Sequence, residues 1–140
     1  MKRSIETEII IEASAERVWA VLLATLDWSR WNPTIPTLSG KVALGSLIRV
    51  RLWIGILPVM LLVRVTRLEL HREFAWSGGV PGAAHACHGF RIEPLGPGRV
   101  RLVHYEHFEG GMAVAYLATQ KAIQKGYEAM NVALKARCEA

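Results

Sequence analysis

Hydrophobic and polar positions alternate along two stretches in the second half of the chain, 84–93 (A-H-A-C-H-G-F-R-I-E) and 99–108 (R-V-R-L-V-H-Y-E-H-F). A period of two marks a β-strand, because successive side chains leave opposite faces. Alternation puts His88, Phe90 and Ile92 on one face of the first strand. It puts Val100, Leu102, His104, Glu106 and Phe108 on one face of the second. The turn Pro94-Leu95-Gly96-Pro97-Gly98 joins the two as a hairpin, and the pair Gly110-Gly111 separates them from a helix expected over 112–137. In that helix Met112, Tyr116, Ile123, Tyr127, Met130 and Leu134 recur at three- and four-residue intervals, with alanines between them raising its intrinsic propensity.

The first half opens with a strand at 5–11, where Ile5, Thr7, Ile9 and Ile11 alternate with Glu6, Glu8 and Glu12, Ile10 breaking the pattern. Ser14 is placed to cap a helix whose stripe is Val18, Trp19, Val21, Leu22 and Leu26, ending near Asp27. Trp28-Ser29-Arg30-Trp31-Asn32-Pro33 reads as one short helical turn halted by the proline. Residues 44–53 and 57–69 form a long hairpin. A turn centred on Gly55-Ile56-Leu57-Pro58 sets Arg49 opposite Arg64 and Arg51 opposite Leu62. That register gathers Ile48, Val50, Leu52, Leu61, Val63 and Val65 on one face and leaves Arg49, Arg51 and Arg64 on a wet one. A further strand over 70–77 carries Phe74 and Trp76 in phase, and Gly78 to Gly82 ends it as a loop. Helices segregated from consecutive antiparallel strands predict an α+β domain of about six strands. A sheet of this kind curls around one long helix and leaves a pocket between them.

Composition narrows the function. The chain has 140 residues, enough for a single domain spanning 1–140 with a real core. The net charge of +5 comes from scattered basic residues, with neither a basic block nor basic and aromatic interleaving, so no nucleic-acid partner is expected. Cys87 and Cys138 stand in no metal or redox spacing. The opening Met1-Lys2-Arg3-Ser4-Ile5-Glu6 lacks the apolar run of a signal peptide, which makes the cytoplasm the expected location. The apolar run 52–63 spans only about 18 Å as a helix, short of the roughly 30 Å of a bilayer core, and Gly55 and Pro58 interrupt it. No transmembrane segment is expected.

Two histidines and a carboxylate, His88, His104 and Glu106, share faces with residues that pattern as buried. Buried polar groups need partners, so the trio forms either a closed network or part of a cavity wall. As acid and base it is the candidate catalytic set, able to polarise a carbonyl and move a proton. Two histidines and a glutamate are also zinc-ligand types, but no short ligand spacing supports a site, and no metal or cofactor is expected. His85 and His107 fall on other faces and His71 in a charged run. Trp28, Trp31 and Asn32 form a second cluster, packing or capping a cavity mouth. Phe74 and Trp76 divide between core and cavity lining in the same way. Asn131, one turn past Tyr127, reaches toward the cavity edge.

The element order, the V-W of the first helix, the segment D-W-S-R-W-N-P and the stretch H-G-F-R-I-E-P-L-G-P-G-R-V-R-L-V-H-Y-E-H-F-E-G resemble the SRPBCC superfamily, the START-like and birch-pollen-allergen-like group that includes polyketide cyclases. The resemblance spans essentially the whole chain. It implies a helix-grip fold, a seven-strand antiparallel sheet wrapped on the C-terminal helix around a cavity for a hydrophobic molecule. The leading expectation is therefore a binding domain for a lipid or polyketide-like molecule the size of a fatty acid or polycyclic aromatic. Its walls would be Phe90, Leu102, Phe108, Met112, Tyr116, Ile123 and Met130, with Trp31, Asn32, Trp76 and Tyr127 around them. His88, His104 and Glu106 would orient the ligand. The alternatives are a cyclase or dehydratase-like enzyme using the same trio, and an interaction protein. The last rests on the hairpin tip, where Trp53, Ile54, Ile56, Leu57, Val59 and Met60 crowd both faces and suit a homodimer contact.

Overall fold

A computed structural model describes all 140 residues. Its elements run β1 (Lys2–Ile11), α1 (Ala15–Leu23), a 3₁₀ turn (Thr25–Asp27), α2 (Trp28–Trp31), β2 (Thr37–Ser39), β3 (Leu47–Ile54), β4 (Leu57–Glu69), β5 (Glu73–Val80), β6 (Ala84–Gly96), β7 (Arg99–Gly110) and α3 (Gly111–Glu139). One antiparallel sheet has the order β1-β7-β6-β5-β4-β3-β2, and α3 lies across it against β1, β7, β6 and β3. This is the helix-grip α+β architecture. No helix is long and apolar enough to cross a membrane.

The alternation read from the sequence holds in the central strands. In β6 and β7, His88 lies opposite Glu106, Phe90 opposite His104, and Ile92 opposite Leu102. All of these face α3 and the short helices. Ser14 caps α1, its hydroxyl accepting from the Arg17 amide at 3.1 Å. Gly110 turns the chain from β7 into α3 at a φ of 58°, and a Cβ there would stand 1.9 Å from the Ala83 carbonyl oxygen. Only glycine fits that corner, so it anchors the start of the helix over the sheet.

Several boundaries differ from expectation. The first helix ends at Leu23, where Ala24 leaves helical geometry; the 3₁₀ turn then buries Thr25 and turns Leu26 outward, 88% exposed. The β3–β4 hairpin closes through the two residues Gly55-Ile56, so Arg49 faces Leu62, Arg51 faces Met60, and Arg64 faces Leu47. The shorter turn moves the register by two, an even number, which leaves each side chain on its expected face and separates the arginines. The strand expected at 70–77 begins at Glu73, after a turn in which His71 adopts a φ of 62°. It continues through Gly78 and Gly79 to Val80. The β6–β7 hairpin likewise continues to Gly96 and Arg99, leaving Pro97-Gly98 as the turn. The strand not recognised in the pattern is β2, three residues paired to the edge of β3. Three residues are too few to show a period.

The buried residues fall into two groups. Twenty-one form the main core, with Trp28, Phe74, Trp76 and Phe90 at its centre and Met130, Leu134 and Cys138 from the C-terminal half of α3. Trp28 meets Trp31, Trp76 and Phe90 at ring distances of 6.1 to 6.4 Å. It also donates its indole N–H to the Leu22 carbonyl. A second group of five, Ile5, Phe108, Ala113, Tyr116 and Tyr127, lies toward the N-terminal half of α3.

Candidate functional site

Between these two groups a cavity of about 150 Å³ opens under α3. The sheet supplies Ala86 and His88 from β6, Glu106 and Phe108 from β7, and Leu52, Ile54, Val59 and Leu61 from the inner face of the β3–β4 hairpin. The helix supplies Met112, Ala115, Tyr116, Thr119, Ile123 and Tyr127 at the three- and four-residue spacing of a single face. Thr34 and Ile35, from the strap between α2 and β2, complete the wall.

Thr34 closes one side. Its hydroxyl donates to the Gly126 carbonyl at 2.5 Å, its carbonyl accepts from the Trp53 amide at 2.9 Å, and Asn32 Oδ1 accepts from the amides of Thr34 and Ile35. A Cβ on Gly126 would lie 3.1 Å from Thr34 Cγ2, close enough that the strap would have to give by a few tenths of an ångström. Outside this strap an open groove of about 720 Å³ runs along Pro33, Thr34, Trp53, Gly55 and the α3 residues Lys121, Gln124, Lys125 and Glu128. Cavity and groove share Thr34 and Trp53.

The polar end of the cavity is a chain of buried hydrogen bonds. Asn131 Nδ2 donates to Thr7 Oγ1 at 2.9 Å, and the Thr7 hydroxyl donates to the His104 carbonyl. Asn131 Oδ1 meets His104 Nδ1 at 2.9 Å. His104 Nε2 meets His88 Nε2 at 2.7 Å. His88 Nδ1 meets the Tyr127 hydroxyl at 3.2 Å and lies 3.5 Å from Glu106 Oε1. Tyr127 and Glu106 Oε1 are themselves hydrogen-bonded. Rings pack around the chain, with Tyr127 stacked on His104 at 4.1 Å and Trp76 on His88 at 4.7 Å.

Burial sets the charge states. It lowers His88 to about 3. It holds His104 well below the usual histidine range, an effect reinforced by His88 and opposed by the bond to Asn131. It raises Glu106 to about 8, opposed by the nearby His107 charge. Removing a charge from water costs more than these uncharged partners return. Burial thus favours the uncharged form of all three groups.

The structure thus brings His88, Glu106, Phe108, Met112, Tyr116, Ile123 and Tyr127 to one cavity. It places the other expected ligand residues elsewhere. His104 is fully buried behind His88. Phe90, Leu102, Trp76 and Met130 pack in the main core, with Trp31 against it. Asn32 spends its oxygen on the strap, and its Nδ2, like Trp31 Nε1, is buried without a partner. Of the remaining histidines, His107 is exposed and His85 pairs with Glu109 at 3.4 Å. Among the lining residues not singled out, Leu52 was on the hairpin's apolar face and Ala86 is in phase with His88. Both were legible by alternation. Thr34 and Ile35 lie in irregular chain and carry no periodic signal.

Comparison with solved structures finds the same architecture repeatedly. The Zhui aromatase/cyclase from Streptomyces sp. R1128 superposes with a TM-score of 0.81 at 17% identity, over 99% of this chain and 94% of that one. A START superfamily protein from Mycobacterium smegmatis gives 0.78 at 20% identity over 97% of both. Ara h 8.0201 gives 0.72 at 9% identity over 99% and 98%. At these identities the likeness is one of fold. No curated protein matches the sequence. The family described as polyketide cyclase / dehydrase and lipid transport matches residues 2–139, nearly the whole of a chain with the helix-grip fold, and the chain belongs to that family.

Proposed function

We propose that this chain is a binding domain for a small hydrophobic molecule, held in the cavity between the sheet and α3. The observation that carries this reading is the contrast within the cavity wall: apolar side chains on nearly every side, and one polar end formed by Glu106, His88 and Tyr127. Such sites draw affinity from apolar contact and orientation from a few polar groups. The family and the Zhui aromatase/cyclase likeness support the same class.

The cavity bears on ligand size. At about 150 Å³ the enclosed space by itself suits a single ring, smaller than the fatty acid or polycyclic aromatic expected from the sequence. A longer ligand would extend past Thr34 into the outer groove. The state of the histidines favours binding over cyclase-type catalysis by the His/His/Glu trio. Both rings are spent on internal hydrogen bonds and are held neutral by burial, so neither is poised to take up a proton at pH 7.

Native mass spectrometry of the purified protein, followed by titration with a panel of monocyclic aromatics and fatty acids read by tryptophan emission, tests the proposal. A displaceable bound molecule, or saturable binding of a panel member, supports it. No binding across the panel rejects it. A second reading, self-association through the hairpin tip, is favoured by the exposure of Ile56, Leu57 and Met60, and sedimentation tests it as set out below.

A further inference from the structure

The hydrogen-bond chain has a direction. Thr7 has one hydroxyl proton, committed to the His104 carbonyl, so its oxygen accepts from Asn131 Nδ2. Asn131 Oδ1 must then accept, which makes His104 Nδ1 the protonated nitrogen. In a neutral ring His104 Nε2 is therefore an acceptor. The 2.7 Å contact requires His88 Nε2 to donate to it. His88 Nδ1 is left as an acceptor facing the Tyr127 hydroxyl. Tyr127 has a single proton and two neighbours with lone pairs, His88 Nδ1 and Glu106 Oε1. The chain closes only if Glu106 Oε1 carries a proton of its own and donates it to the tyrosine oxygen.

This assigns the two Glu106 oxygens different roles. Oε1 is the hydroxyl, turned inward to Tyr127. Oε2 is the carbonyl-type oxygen; it has no partner in the protein and is not sealed off, in a residue that lines the cavity. A carbonyl oxygen accepts. Building on the binding-domain reading, we propose that the cavity selects a single-ring hydroxyaromatic molecule whose hydroxyl donates to Glu106 Oε2 while its ring fills the apolar space. The volume admits one ring. The titratable groups around Glu106 are His88 from β6, Tyr116 and Tyr127 from α3, and His104 and His107 on its own strand; β1 sets Ile5 opposite it and the β3–β4 hairpin faces the cavity with apolar side chains. No lysine or arginine lines the cavity to hold the carboxyl ionised, in keeping with the rise caused by burial.

The test compares phenol with toluene, which share a shape and differ by a hydroxyl in place of a methyl group. Affinities are measured by calorimetry at pH 6.5 for the wild-type protein, Glu106→Gln and Glu106→Leu. Glutamine copies the neutral acid, its NH₂ donating to Tyr127 and its oxygen facing the cavity. The phenol-to-toluene affinity ratio is expected to stay within about threefold in Glu106→Gln and to fall by roughly tenfold in Glu106→Leu, the loss of one hydrogen bond to a buried donor. A ratio unchanged in Glu106→Leu overturns the proposal. So does a tenfold fall in Glu106→Gln, which marks an ionised Glu106. If neither phenol nor toluene binds the wild-type protein, the binding reading falls and takes this one with it. Should Glu106→Leu fail to fold, ¹⁵N NMR of the wild-type histidines decides independently. Protonation of His104 at Nδ1 and of His88 at Nε2 is expected, and the opposite tautomers reject the chain's direction.

Discussion

The space between the sheet and α3 is filled at one end and left open at the other. At the filled end, Trp28, Phe74, Trp76 and Phe90 interlock with Met130 and Leu134 from the C-terminal half of the helix. At the open end the same helix presents Ala115, Thr119 and Ile123, and the sheet answers with Ala86. Both ends follow the same alternation and the same helical period. What differs is side-chain volume at particular positions: four large aromatics interlock at the filled end, whereas Ala86, Ala115 and Thr119 stand among the larger side chains lining the open end. Under the proposed binding function, stability and binding would fall to different halves of one helix. The buried chain from Glu106 to Asn131 runs from the cavity toward the filled half.

The contrast is broken hardest by truncating a large side chain at the filled end. Trp28→Ala is expected to cost about 3–5 kcal/mol of unfolding free energy, since it removes a fully buried ring and strands the Leu22 carbonyl. Ile123→Ala, at the open end, is expected to cost about 1 kcal/mol, because the void already exists. Urea denaturation of both variants measures the gap; equal losses would mean that the two ends are packed alike.

The uncharged chain between the ends gives stability a pH dependence. The histidines unfold from values held below 6.5. Their contribution is present above pH 6.5 and is lost as pH falls below it, because the unfolded chain takes up protons that the folded one refuses. Glu106 works the other way, rising from 4.5 to about 8 on folding. Its contribution is full below pH 4.5 and is lost as pH rises toward 8. With all three groups present, the cluster makes stability peak near pH 6.5 and fall above it by about 1.4 kcal/mol per pH unit until Glu106 ionises. Denaturation midpoints between pH 6.5 and 8 are expected to decline in the wild-type protein and to flatten in Glu106→Gln. An unchanged slope in the variant would place the titration elsewhere.

Filling the open end sharpens the comparison with a smaller cost. Ala86→Leu projects into the cavity, and binding of toluene is expected to be lost while stability stays within about 1 kcal/mol of wild type. Calorimetry and denaturation on one sample check both halves of that statement. The smallest effect on stability belongs to the tip. Ile56 is 96% exposed and Leu57 is mostly so, and replacing both with Lys is expected to change stability by no more than about 0.5 kcal/mol. If two chains associate through this turn, sedimentation equilibrium will show dimers in the wild-type protein and monomers in the double variant. Wild-type monomers at high concentration would end that reading.

The sequence by itself determined which side chains share a face. Alternation in β6 and β7 placed His88, His104 and Glu106 inward, and the period of α3 lined up Met112, Tyr116, Ile123 and Tyr127, because side-chain direction in a regular element depends only on spacing. The resemblance of the whole chain to the SRPBCC superfamily added the helix-grip topology. Depth along the sheet was not legible. His88 and His104 are both buried and inward-facing, yet one lines the cavity and the other stands behind it; Phe90, Leu102 and Met130 share the inward face and belong to the filled end. Those distinctions depend on where irregular chain comes to rest. The Trp28 turn fills one end, and the strap at Thr34 reaches Gly126 and closes the other, through contacts between residues about ninety positions apart. Long-range packing of aperiodic segments leaves no local pattern, so the tertiary structure alone decided where the core stops and the cavity begins.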